Sequence, residues 1–266
     1  MTQTEYLGRL ELARRIAVEA GLATLPFFRH PELAVQRKAD GSPLTQADQL
    51  SETMMRAAIV ASFPTDTIIG EEFGTSEGTS GWQWILDPID GTKSFIAGVP
   101  LYGAMVGVGR GGQAEIGVIY FPALDQGMYA SRGGGCWYFE GATEPRRAHV
   151  SKKSLLADSV MVTSAVETFR SRASEVVYDQ IASRVYFSRT WGDAYGYMLV
   201  ALGHVEIMID PILSIWDAAA VQPIIEEAGG RFSDWHGNRR IDSGDAIGSN
   251  GLVHDEILKI VAAAAK

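Results

Sequence analysis

The segment Trp84-Ile85-Leu86-Asp87-Pro88-Ile89-Asp90-Gly91-Thr92 decides how the rest of the chain is read. Three apolar residues form a strand at 84–86 that runs straight into two aspartates, three positions apart. Pro88 between them fixes its own φ near about −65°. Gly91 permits a close backbone approach or an unusual φ. Gly91-Thr92-Lys93 can then open a helix whose first N–H groups face an anion. By itself, Asp-Pro-Ile-Asp also fits a strand-ending turn whose aspartates satisfy backbone donors.

Working outward, further acids fall at comparable places. Glu71 and Glu72 follow the short apolar strand Ile68–Ile69 and Gly70. Asp217, in Ile215-Trp216-Asp217-Ala218, stands at a helix start, where an N-cap is the structural alternative. Asp48 lies one turn into a helix that begins at Thr45, where a solvated face is the alternative. Carboxylates gathered without Lys or Arg partners call for a divalent cation, and oxygen-only ligation favours Mg²⁺ or Mn²⁺ over zinc. The five histidines, His30, His149, His204, His236 and His254, show no zinc spacing and read as surface or structural groups.

The periodicity predicts a long amphipathic helix over 4–28, a turn at 38–43 and a second helix from Thr45 to about Ser62. Strands at 101–109, 114–121, 126–130 and 136–139, separated by Gly and Pro, read as an antiparallel meander. After Lys152-Lys153 the pattern alternates. Strands are expected at 160–163, 185–189 and 205–209, with helices at 173–183, 194–202 and 218–228. That is an α/β half. The division falls near residue 150 with no linker composition, so 1–266 is read as one domain with two sub-regions.

The chain has 266 residues, 23 Lys plus Arg against 32 Asp plus Glu, and a net charge of −9. With 46% hydrophobic residues it is a globular composition. The acidic balance argues against a nucleic-acid binder. The N-terminal stretch carries charges throughout, and no apolar run reaches the ~18–20 residues of a membrane helix. The expectation is a soluble cytoplasmic protein without a membrane partner. Cys136, the single cysteine, reads as a buried small hydrophobe.

Taken together, Gly70-Glu71-Glu72, WILDPIDGT at 84–92 and Trp216-Asp217-Ala218-Ala219-Ala220 resemble the inositol monophosphatase-like, metal-dependent phosphatases over nearly the whole chain. The resemblance implies a layered αβαβα sandwich and Mg²⁺-dependent hydrolysis of phosphate monoesters. It implies that Glu71, Asp87 and the Ile89 carbonyl hold one metal, and that Asp87, Asp90 and Asp217 hold a second. Glu71 also serves a weaker third in some members, which makes two to three ions, with Mn²⁺ a possible substitute. Thr92 would orient the attacking water, with Asp48 as its acidic partner and Thr45 beside it. Gly91 and Thr92 would donate to phosphate, Glu72 would support the metal site, and Lys38 would lie near the loop closing over it. Two cations can neutralise the phosphoryl oxygens, acidify the water and stabilise the leaving alkoxide. The resemblance also implies a homodimer.

Two features bear on the substrate. Arg189-Thr190-Trp191-Gly192-Asp193-Ala194-Tyr195-Gly196-Tyr197 resembles a signature of the histidinol-phosphatase branch. Asp210 matches the position where inositol enzymes set a glutamate against hydroxyls. Asp193 and Asp210 would suit the cationic histidinol, and one of Trp191, Tyr195 and Tyr197 could stack on an imidazole while the others pack in the core. The structural alternatives are a helix cap at Asp193 and a proline turn after Asp210. Inositol-1-monophosphatase, a broad sugar-phosphate phosphatase and a non-catalytic regulatory binding protein stay open beside the histidinol reading.

Overall fold

A computed structural model describes residues 3–264. Helices α1 (Gln3–Thr24) and α2 (Gln46–Ser62) flank a small hairpin of β1 (Val35–Arg37) and β2 (Pro43–Thr45). Then come β3 (Thr67–Gly70), β4 (Gly74–Ser76), β5 (Trp82–Asp90) and the short helix α3 (Thr92–Ile96). The meander follows as β6 (Gly103–Arg110), β7 (Gln113–Phe121), β8 (Gln126–Ser131), β9 (Gly135–Glu140) and β10 (Arg146–Arg147). These strands form an eight-stranded sheet in the order β10-β9-β8-β7-β6-β5-β3-β4.

The second half contains β11 (Val160–Val162), α4 (Val166–Ser171), α5 (Glu175–Ala182), β12 (Phe187–Arg189) and α6 (Ala194–Ala201). It continues through β13 (Ile207–Asp210), α7 (Ile215–Glu227), β14 (Arg231–Ser233), β15 (Ala246–Ser249) and α8 (His254–Ala264). Its five-stranded sheet runs β12-β11-β13-β15-β14.

Strand alternation sorts the apolar side chains into layers. Ala104, Val106 and Val118 pack with Leu12, Ile16, Met55 and Ile59 of α1 and α2. Met105, Ile119 and Met128 face the other way, onto Ala220 and Ile224 of α7, together with Val162 and Met208 of the second sheet. The outer face of that sheet, Met161, Ile207 and Ile247, packs with Val177, Ile181 and Ile257 of α5 and α8. The result is an αβαβα sandwich. Helix α7 lies unusually close to the first sheet because Gly107 and Gly117 oppose one another across β6 and β7. A Cβ on Gly117 would stand 2.0 Å from the Ala220 carbonyl oxygen.

The meander and both long N-terminal elements stand as expected, with shifted ends. Helix α1 stops at Thr24, four residues before the expected 28, and Pro26 follows soon after. Strand β5 is longer than 84–86 because it continues through Pro88, its register against β6 shifting between Asp87 and Asp90. The expected helix over 173–183 begins at Glu175 instead, because Ala173 takes a positive φ of 54° and separates α5 from an additional helix, α4. Strand β13 occupies 207–210 rather than 205–209, and β12 starts at 187 rather than 185. Helix α7 begins three residues before the expected Ala218. No helix among the described residues is long and apolar enough to cross a membrane.

Candidate active site

The end of β5, the start of α3, the N-termini of α6 and α7 and the segment after β11 enclose one cleft of about 430 Å³. Into it the fold brings Glu71, Asp87, Asp90, Thr92, Asp193, Asp210 and Asp217. One ligand oxygen from each of Asp87, Asp90 and Asp217 falls within 4.8 Å of the others.

Each of these carboxylates is fixed by a backbone N–H. Asp87 Oδ1 accepts the Ile89 N–H at 3.1 Å, two residues on. Asp90 Oδ2 accepts the Ala194 N–H at 2.7 Å and so caps α6. Asp217 Oδ2 accepts the Ser214 N–H at 2.7 Å, as the third residue of a capping box. Asp48 does the same for α2, its Oδ2 accepting the Thr45 N–H and hydroxyl at 2.8 and 2.6 Å. The second oxygen of each meets no N–H or O–H donor among the described residues. For Asp48 Oδ1 that oxygen is wholly buried. At Asp48 and Asp217 the capping role and a place beside the site are therefore held by one side chain.

Gathering these groups is electrostatically costly. Burial, then Glu71, Asp90 and Asp217, holds the Asp87 carboxyl well above the usual range. Burial and the neighbouring Asp193 and Asp217 do the same to Asp90. Asp217 is pushed up to about 7, chiefly by burial, against the opposing hydrogen bond from Ser214. A set of converging, oxygen-only, desolvated carboxylates fits a hard divalent cation. Glu71 lines the same cleft, but Lys38 Nζ donates to its Oε1 and to Glu72 Oε1, both at 2.7 Å. Burial works to lower the Lys38 ammonium pKa, but the two glutamates outweigh it and raise it. Glu72 itself is pushed up to about 7 by burial.

Gly91 has φ 76° and ψ 42°, the left-handed conformation that favours glycine. A Cβ there would lie 2.9 Å from Asp193 Oδ2. Thr92 and Lys93, in the first turn of α3, line the cleft, and their N–H groups have no i−4 partner in the helix. The Thr92 hydroxyl donates to the Ile89 carbonyl at 3.1 Å, whereas the hydroxyl on Asp48 is that of Thr45. Asp193 holds the N-cap position of α6 but makes no capping bond, so its carboxylate stays available. Asp210 is wholly buried. Its Oδ1 accepts from Thr163 Oγ1 and the Ser164 N–H, and its Oδ2 from the Tyr197 hydroxyl.

Of the three aromatic residues singled out, Tyr197 lines the cleft, with its ring buried in the core. Tyr195 packs edge-on to Phe121, and Trp191 edge-on to Phe187. The cleft instead takes its indole from Trp216 and its apolar wall from Ile212 and Leu213. Sequence reading missed these, although Trp216 stands beside Asp217. Ser164 and Glu167, also in the wall, carried no signal.

A layered sandwich with converging aspartates between its two sheets defines a class of metal-dependent hydrolytic scaffold. The chain belongs to the inositol monophosphatase family, whose model matches residues 9–266. It is 41% identical over 238 residues to a protein of Chlorobaculum parvum named histidinol-phosphatase, covering 90% of each chain. A Streptomyces coelicolor protein of the same name is 35% identical, covering 96% of this chain and 97% of its own. Among solved structures, an inositol monophosphatase from Zymomonas mobilis superposes with a TM-score of 0.84 at 30% identity, over 98% and 99% of the two chains.

Proposed function

We propose that this chain is a Mg²⁺-dependent phosphomonoesterase that hydrolyses L-histidinol phosphate to L-histidinol and phosphate, working as one domain. The observation that carries the reading is the set of aspartates with one oxygen fixed by backbone and the other free in the cleft. The names of the relatives support the choice of substrate.

Glu71, Asp87, Asp90, Asp217 and the Ile89 carbonyl would hold two to three Mg²⁺ ions. When bound, the metal supplies positive charge to the phosphoryl oxygens and acidifies the attacking water. The first-turn N–H groups at Gly91 and Thr92 hold phosphate oxygens. The Thr92 hydroxyl orients the water, and Asp48 sets the local field and the α2 terminus beside it. Lys38 balances Glu71 and Glu72. Asp193, free of capping duty, faces the cationic leaving group. Asp210 shapes that wall through Ser164 and Tyr197.

The test compares kcat/KM for L-histidinol phosphate and myo-inositol 1-phosphate with Mg²⁺ present. A preference of about a hundredfold, or ~2.7 kcal/mol, is expected, shrinking in Asp193→Asn. Equal rates would leave a phosphatase of the family without this substrate. No phosphate release from either ester would favour a binding protein.

A further inference from the structure

The cleft wall formed by the second half of the chain contains a carboxylate that capping and packing do not employ. Asp210 is fully engaged by Thr163, Ser164 and Tyr197, and its bond to the Ser164 N–H fixes the segment that leads into α4. Glu167, in the first turn of α4, is exposed and lines the cleft. No cationic side chain among the described residues pairs with its carboxylate, not even Arg170, one turn on. The same cleft carries Ile212, which is 54% exposed, and the half-buried Trp216. An apolar wall with an unpaired carboxylate at Glu167, on a different element from Asp193, orients a ligand that has a flat apolar body and a positive end.

The polar groups of the cleft are placed differently. Lys93 and the first turn of α3 adjoin Gly91, and Asp193 Oδ2 stands 2.9 Å from where a Cβ on that glycine would lie. Asp193 is thus next to the phosphate-binding turn. Glu167 stands on another element, tied to the second sheet through Ser164. We propose that Glu167 is a specificity-determining residue that receives the cationic end of the leaving alcohol remote from its phosphate. Ile212 and Trp216 cover the apolar body. The proposal rests on the phosphomonoesterase reading and deepens it. A negative rim also disfavours alcohols that carry a second phosphate, because like charges would meet there.

The test measures kcat/KM of wild type, Glu167→Gln and Glu167→Asp on two pairs of esters, each cationic against neutral. The pairs are L-histidinol phosphate with glycerol 2-phosphate, and 4-aminobutyl phosphate with butyl phosphate. Glu167→Gln should lower the cationic-to-neutral ratio about tenfold in both pairs, mainly through KM, and Glu167→Asp should recover part of it. An unchanged ratio in Glu167→Gln, when wild type prefers the cationic ester, overturns the role of Glu167 and leaves the substrate assignment standing. A wild type with no cationic preference in either pair overturns both. A preference confined to the aminobutyl pair, lost in Glu167→Gln, overturns the histidinol assignment and supports Glu167.

Discussion

Asp90 caps the helix that begins at Ala194, reaching it through a 2.7 Å hydrogen bond across 104 residues of sequence. The local residue at that cap, Asp193, is thereby released to the cleft. The two oxygens of Asp90 are open to separate tests. Asp90→Ala removes the acceptor and should lower stability by about 1–2 kcal/mol even without metal. Asp90→Asn retains an acceptor and removes a charge that burial disfavours, so metal-free stability should hold or rise. Both should abolish Mg²⁺-dependent turnover. Denaturant titration of the two variants in EDTA checks the difference.

Stability without metal should fall as pH rises. Asp87, Asp90 and Asp217 have folded-state pKa values above their unfolded ones, Asp217 at about 7. Between pH ~4 and ~7 the folded state therefore binds more protons than the unfolded chain, and ΔG of unfolding declines with pH. Mg²⁺ offsets the assembled charge. Thermal melts at pH 5 and pH 8 should show a lower Tm in EDTA at pH 8 and a larger gain from Mg²⁺ there. Equal gains at both values would contradict this account.

His254 should produce the opposite slope. Its ring is buried between the Ser233 and Ser249 hydroxyls, each at 2.8 Å, and burial lowers its pKa to about 4. Below the unfolded value of about 6.5 the unfolded chain takes up the proton first, so this contribution is complete above pH 6.5 and lost by about pH 4. The loss is at most about 3 kcal/mol. Subtracting His254→Gln from wild type removes the carboxylate trend. The stability difference between them should shrink on going from pH 7 to pH 4.

Gly117→Ala should displace α7, because the new methyl would meet the Ala220 carbonyl at 2.0 Å. Overpacking of this kind costs about 1–3 kcal/mol. Since α7 carries Asp217, Mg²⁺ affinity should fall together with Tm. Calorimetric titration with Mg²⁺ at a temperature where the variant stays folded separates the two losses.

The residues of the aspartate cluster were legible because strand, proline and glycine stand together in nine positions. The choice between cap and ligand at Asp217 was not, because the capping bond uses one oxygen and leaves the other, a division that residue type does not encode. The end of α1 was overrun because Phe27 and Phe28 continue the apolar spacing past Pro26 into turns. Helix α8 and strands β14 and β15 went unassigned. The strands have three and four residues, and only the pairing of β15 with β13 on one side and β14 on the other orders them. Glu167 carried no signal because its place in the cleft depends on Asp210, 43 positions later in a chain whose contacts only folding supplies.

The close approach between Asp90 and Ala194 joins two stretches with different duties. Residues 38–92 bring two of the three cluster aspartates, Asp87 and Asp90, and the turn at Gly91, while 164–168, 193 and 210–216 make the wall that an alcohol would meet. On the proposed reading, substitutions in the second stretch would exchange one leaving group for another without rewriting the hydrolytic apparatus. Asp217 is the one cluster aspartate anchored in the later stretch, and it marks where such drift must stop.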